Sequence, residues 1–71
     1  MNLDNAIIKA NALFTEGRYT DALRIYDEGV KAGHTRAIFN YAYCLQYGYG
    51  MDPDPAKAFE LYTYLRYEEE G

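Results

Sequence analysis

The sequence predicts an all-α fold in which two antiparallel helix pairs stack as a short α-solenoid. Three observations carry the prediction. Apolar residues recur at three- and four-residue steps in four separate segments. Glycines stand where the first three segments end, at Gly17, Gly33 and Gly48, and an Asp54-Pro55 start signal precedes the fourth. The two halves of the chain also match each other. Ala10 and Leu13 recur as Ala42 and Leu45 at an offset of 32, and Ala22 and Tyr26 recur as Ala58 and Tyr62 at an offset of 36. The offset grows because the second turn carries four more residues. A period in this range, built on helix–turn–helix units, signals an α-solenoid.

The first helix is expected over about residues 3–16. Leu3, Ala6, Ile7, Ala10, Leu13 and Phe14 make one stripe, Asn2 is placed to cap it, and Gly17 ends it in a left-handed conformation. The second is expected from Thr20 or Asp21 to Ala32, capped by Thr20. Its inward residues are Ala22, Leu23, Tyr26 and Val30, with Gly29 as a small contact point. The short Gly17–Tyr19 connection makes these two helices antiparallel neighbours. The third is expected from Thr35 or Arg36 to Tyr47, capped by Thr35, with Ala37, Ile38, Tyr41, Ala42 and Leu45 inward. The fourth is expected over about residues 55–68, capped by Asp54, with Pro55 at its first position, where the missing N–H does no harm. Ala58, Leu61, Tyr62 and Leu65 form its stripe. Glu68, Glu69 and Glu70 lie at the wrong end of the macrodipole, so the last turn is expected to fray.

Composition bounds the function. At 71 residues the chain is one domain near the lower size limit for a self-sufficient core. Its one cysteine, Cys44, cannot form an internal disulfide, and Cys44 with His34 is too sparse for zinc. A cytoplasmic, reducing location follows as the expectation. Seven scattered cations against eleven acids, net −4, give no basic stripe, which argues against nucleic acid. Neither a signal peptide nor a membrane span is expected.

Two stretches carry a family resemblance. Gly17, Tyr19, Ala22 and Tyr26 fall in a Gly-x-Tyr-x-x-Ala-x-x-x-Tyr run, which resembles a tetratricopeptide repeat. Gly48-Tyr-Gly-Met-x-x-Asp-x-x-Lys-Ala-x-x-x-Tyr, through Lys57, Ala58 and Tyr62, is similar to the core of the Sel-one-like variant of that family. Ala10 and Ala42 depart from it, standing where glycine is common, and Leu45 replaces a frequent tyrosine. Repeat one would cover about residues 2–33 and repeat two about residues 34–70. The expected fold is then all-α: two antiparallel helix pairs stacked as a short right-handed α-solenoid.

The resemblance implies a concave groove lined by the first helix of each pair. Its facing positions would be Asp4, Ile7, Ile8, Asn11, Phe14 and Thr15, then Arg36, Phe39, Asn40, Tyr43, Gln46 and Tyr47. Asn11, Thr15, Arg36, Asn40, Tyr43 and Tyr47 are the candidates for contact with a peptide or partner protein. Asparagine amides at such places bond both donors and acceptors of an extended backbone. The competing reading makes Asn11 and Asn40 ordinary solvated helix residues. Both also match asparagines of the carboxylate-clamp subgroup, which grips chaperone C-termini. The match stops at Ile7, where a clamp lysine would stand, and without a third repeat to supply the remaining cations. Tyr43 and Tyr47, one turn apart, make an aromatic platform or simply pack.

A second surface follows from size. Two repeats give a single inter-repeat interface, whereas about three are needed for stability. The fourth helix is therefore expected to leave an association surface uncovered, formed by Phe59, Leu61, Tyr64 and Leu65, for a homodimer or an obligate partner. The function expected is a non-catalytic protein–protein interaction module without cofactor or metal. One alternative is a self-assembling scaffold unit with an unused groove. A small-ligand or enzymatic role would need a buried ionisable cluster, which the sequence does not supply. It has no serine, and Cys44 in an apolar pattern reads as inert core rather than a nucleophile. Asp52-x-Asp54 lacks the further ligands of a calcium loop and reads as a turn and a cap.

Overall fold

The computed structural model describes residues 3–70, with side chains for residues 4–67. It is all-α. The helices are α1 (Leu3–Thr15), α2 (Tyr19–Lys31), α3 (Thr35–Tyr47) and α4 (Pro55–Glu70). Each packs on the next in the chain: α1 on α2, α2 on α3, α3 on α4. The Cα envelope measures 33 × 29 × 16 Å. Two helix axes about 8–10 Å apart, with a Cα radius of about 2.3 Å on either side, span about 13–15 Å. The slab is therefore two helix layers deep.

Local chemistry sets most of the helix ends. Gly17, Gly33 and Gly48 all adopt positive φ at the three expected stops. At the first, the Arg18 N–H donates to Leu13 O at 2.9 Å and the Gly17 N–H to Phe14 O at 3.0 Å, which satisfies the last carbonyls of α1. At the start of α4, Asp54 Oδ1 accepts the Lys57 N–H at 3.1 Å, the expected cap.

Two starts differ from expectation. α2 begins at Tyr19, so Thr20 is already helical. Arg18 precedes it and makes no side-chain cap hydrogen bond. Arg18 instead pairs with Asp21 at 2.8 Å across the first turn. α3 is capped by His34 in place of Thr35. His34 Nδ1 accepts the Ala37 N–H at 3.4 Å, while Nε2 lies 2.7 Å from Asp4 Oδ1. The carboxylate on α1 orients the ring, and that long-range partner decides the cap. Asn2, the expected cap of α1, lies outside the described residues. α4 runs two residues past its expected end, to Glu70. The expected fraying falls on glutamates whose side chains lie outside the described ones.

Small residues form the seams between helices. Ala10, Ala22, Ala37 and Ala42 are completely buried, and Ala58 is 1% exposed. One cluster gathers Ile7, Ala10, Ala22, Leu23, Tyr26, Ala37 and Cys44, and a second gathers Ala42, Leu45 and Ala58. Ile7 is 1% exposed, so it belongs to the core and not to the groove. The tightest seam joins the two halves of the chain: a Cβ at Gly29 would collide with the Ala37 Cβ and lie 3.3 Å from Ile7 Cδ1.

The Gly48–Asp54 loop is more than a stop followed by a start. Its end is tied back to α3 through the Asp54 N–H, which donates to Leu45 O at 2.7 Å. Gly50, at φ +76°, brings the backbone against α2, where a Cβ would come 2.8 Å from Leu23 Cδ1 and 3.0 Å from Tyr19 Cβ. This contact folds Tyr49 and Met51 against the main cluster.

Gly29→Ala separates two effects of opposite sign. Alanine favours a helix by about 1 kcal/mol. Forcing the α2–α3 seam apart costs about 1–3 kcal/mol. Because the collision is between Cβ atoms, which no rotamer can move, the seam dominates. Urea denaturation is expected to show a net loss of stability, and a stabilised variant would contradict the close approach.

Candidate functional site

A three-residue hydrogen-bonded node lies where α1, α2 and α3 meet. The Tyr26 hydroxyl, on a side chain only 2% exposed, donates to Asn11 Oδ1 at 2.5 Å. The Asn40 amide donates to the same oxygen at 3.1 Å. One carbonyl oxygen thus takes two donors, matching its two lone pairs. Among the described residues the Asn11 NH₂ and the Asn40 Oδ1 have no partner, so the pair presents a donor and an acceptor side by side. Burial pushes the Tyr26 hydroxyl up to about 12, with the nearby Cys44 thiol adding to the rise. Tyr26 therefore remains a donor, and the orientation of Asn11 is set from beneath.

Two hollows flank this node. The larger, of about 560 Å³, runs from Asn11 and Asn40 past Arg36 and Phe39 of α3 to Tyr62 and Arg66 of α4. The smaller, of about 360 Å³, runs from the same asparagines past Phe14, Thr15 and Tyr43. Asn11, Phe39 and Asn40 line both, so the hollows form one continuous groove.

Of the twelve positions expected to face a groove, Asn11, Phe14, Thr15, Arg36, Phe39, Asn40 and Tyr43 line it, and these include five of the six contact candidates. Tyr47 lines neither hollow. Its ring packs on Tyr43 at 4.9 Å and on Tyr49 at 6.2 Å. The expected two-ring platform is part of a larger cluster centred on Tyr49. That ring also meets Phe14 at 5.1 Å, Tyr19 at 5.0 Å and Tyr43 at 5.8 Å, the last stacked at 14°. Tyr49 is invisible to helical periodicity because it sits in the loop. The signal that could have found it is the Gly-Tyr-Gly spacing, which lets the backbone approach α2 closely. Arg66 and Tyr62 also escaped the expected groove set, because α4 belongs to the other helix of its pair.

The expected association surface does not form one patch. Leu65 is 8% exposed and belongs to the core, where it lines the larger hollow. Phe59 is 72% exposed and Tyr64 46% exposed. Five residues of helix separate them, which places them about 140° apart around the axis. Leu61 and Tyr64 line a separate hollow with Val30, Ile38 and Glu60. Tyr67, 68% exposed, adds a further uncovered ring.

Cys44 is 1% exposed, and burial pushes its thiol up to about 11, so it is a poor nucleophile. His34 is occupied with Asp4 and the start of α3, about 15 Å along the helix from Cys44. Among the described residues no three His, Cys, Asp or Glu side chains are grouped to hold a metal ion, and no helix is long and apolar enough to cross a membrane. What the groove offers chemically is hydrogen bonding, two guanidinium groups and aromatic surface. No family model matches the chain, and comparison with curated proteins and with solved structures finds no match.

The node makes a pH prediction. An unfolded tyrosine ionises near about 10. Tyr26 in the fold keeps its proton until about 12. Its stabilising contribution is therefore fully present below about pH 10 and is lost as pH rises through the folded value. Tyr26→Phe should lose about 1 kcal/mol at pH 7 with the hydrogen bond. Its stability should then fall less steeply than the wild type between about pH 10 and 12. Urea midpoints across that range read both effects, and equal slopes would contradict the assignment.

Proposed function

We propose that this chain is a non-catalytic protein-interaction module that holds an extended peptide, or a segment of a partner protein, in the groove over α1 and α3. The observation that carries the reading is the Asn11–Asn40 pair. One amide is held by Tyr26 so that its NH₂ faces out, and the neighbouring Asn40 Oδ1 faces out beside it. A peptide unit offers one C=O and one N–H, which complement that donor and acceptor. The apolar walls of Phe14, Phe39 and Tyr43 supply surface for side chains on either side.

The tetratricopeptide-like, Sel-one-like reading belongs to this proposal. Its support is the buried alanines at matched positions of the two halves and the sequential packing of four helices. On that reading the helix pairs form a short right-handed α-solenoid with its groove on the first-helix side. A buried Cys44 suits a cytoplasmic setting. An array of capped nonapeptides tests the groove. The wild type should retain a subset, and Asn11→Ala with Asn40→Ala should weaken the tightest by at least about tenfold, with helicity unchanged. Unchanged retention would count against the groove.

A second reading is self-association through α4, in which the chain is a scaffold unit or an obligate dimer. The exposed rings of Phe59, Tyr64 and Tyr67 favour it. Size exclusion with light scattering should then report a dimer at micromolar concentration, and Phe59→Glu or Tyr64→Glu should return a folded monomer. A wild-type monomer throughout that range would exclude it.

A further inference from the structure

The larger hollow has a charge character that the smaller one lacks. Of the seven lysines and arginines, Arg18 pairs with Asp21 at 2.8 Å and Lys31 with Asp27 at 3.1 Å, and the other five make no ion pair among the described residues. Arg36, in the first turn of α3, and Arg66, late in α4, line the same hollow from two helices. Among the described residues neither makes an ion pair, and no aspartate or glutamate lines the hollow with them. In a chain of net charge −4, two guanidinium groups that face one space with no acidic partner among the described residues form a local positive site.

Its walls say what kind of anion fits. Phe39 is 52% exposed and meets Tyr62 edge-on at 5.7 Å, with Leu65 beneath. The ligand must therefore carry an apolar group next to its charge. The neutral asparagine pair adjoins the hollow and no cation lines the smaller one, so a polyanion would find charge at one end only. The groove also continues past the asparagines into the smaller hollow, so a bound chain can run through.

We infer that Arg36 and Arg66 recognise an aspartate or glutamate side chain within an extended peptide, with an apolar neighbour resting on Phe39 and Tyr62. The inference rests on the groove reading and names its ligand class. The planar fork of each guanidinium matches a carboxylate with two parallel hydrogen bonds.

The test uses the full chain and nonapeptides that are N-acetylated and C-amidated. Each carries one Asp or Glu beside Leu, Phe or Tyr and has an Asn or Gln twin. A further set has a free C-terminal carboxylate and no acidic side chain. Fluorescence polarisation should show retention of the acidic amidated peptides. Affinity should fall about tenfold for the amide twin, and about tenfold for Arg36→Gln or Arg66→Gln, with circular dichroism unchanged. Binding should also weaken with added salt.

Binding that ignores the acidic residue, or survives both arginine changes, overturns the inference. If such binding still needs Asn11 and Asn40, the groove reading stands. A preference for the free C-terminus overturns the side-chain assignment. Self-association broken by Arg66→Gln in a still-folded chain makes a second copy the occupant and overturns the peptide. Retention of no peptide overturns the inference and the groove together.

Discussion

Close approach of helices through alanine and glycine is the constraint on which the rest of this structure depends. A chain of 71 residues in a slab 16 Å thick has little interior, so it cannot gain much from large core side chains. It gains instead from backbones brought near one another. Ala10 with Ala22 serves the first pair, Ala42 with Ala58 the second, and Gly29 with Ala37 joins them. On the proposed function the last seam matters most. It sets how far α3 stands from the first pair, and so whether Asn40 reaches Asn11.

The polar node follows from that spacing. Asn11 and Asn40 meet at 3.1 Å only because α1 and α3 are held on the same side of the slab. Tyr26 lies beneath them and fills the space between helices, which is why its hydroxyl is both buried and bonded. A ring of that size under the node has two consequences. It supports the groove floor, and it orients one amide so that the NH₂ of that amide has no partner among the described residues. On the proposed function, packing and recognition share the same atoms.

Much of the fold was legible from local pattern. The glycine stops, the Asp54 cap and the inward alanines are each decided within one or two turns of chain, and all appear in the structure. Features that depend on distant partners were not legible. His34 displaces Thr35 as the α3 cap because Asp4, thirty residues earlier, holds its ring. Ile7 and Leu65 are buried as their apolar stripes imply, so it is their further assignment to the groove and to the association surface that does not hold. The groove was partly legible: seven of the twelve expected facing residues line it, five of the six contact candidates among them. Arg66 and the Tyr49 ring cluster were not, since one comes from the opposite helix of its pair and the other from a loop folded back on α2.

Side-chain amide resonances give the most direct test of the account. Isotope-labelled protein titrated with a retained peptide reports on Asn11 and Asn40 separately by NMR. A large shift of the Asn11 NH₂ signals is expected as its donor is taken up. The Asn40 NH₂ signals should keep the signature of their internal bond to Asn11. Undisturbed Asn11 signals at saturation, with the changes confined to α4, would contradict a groove built on this pair.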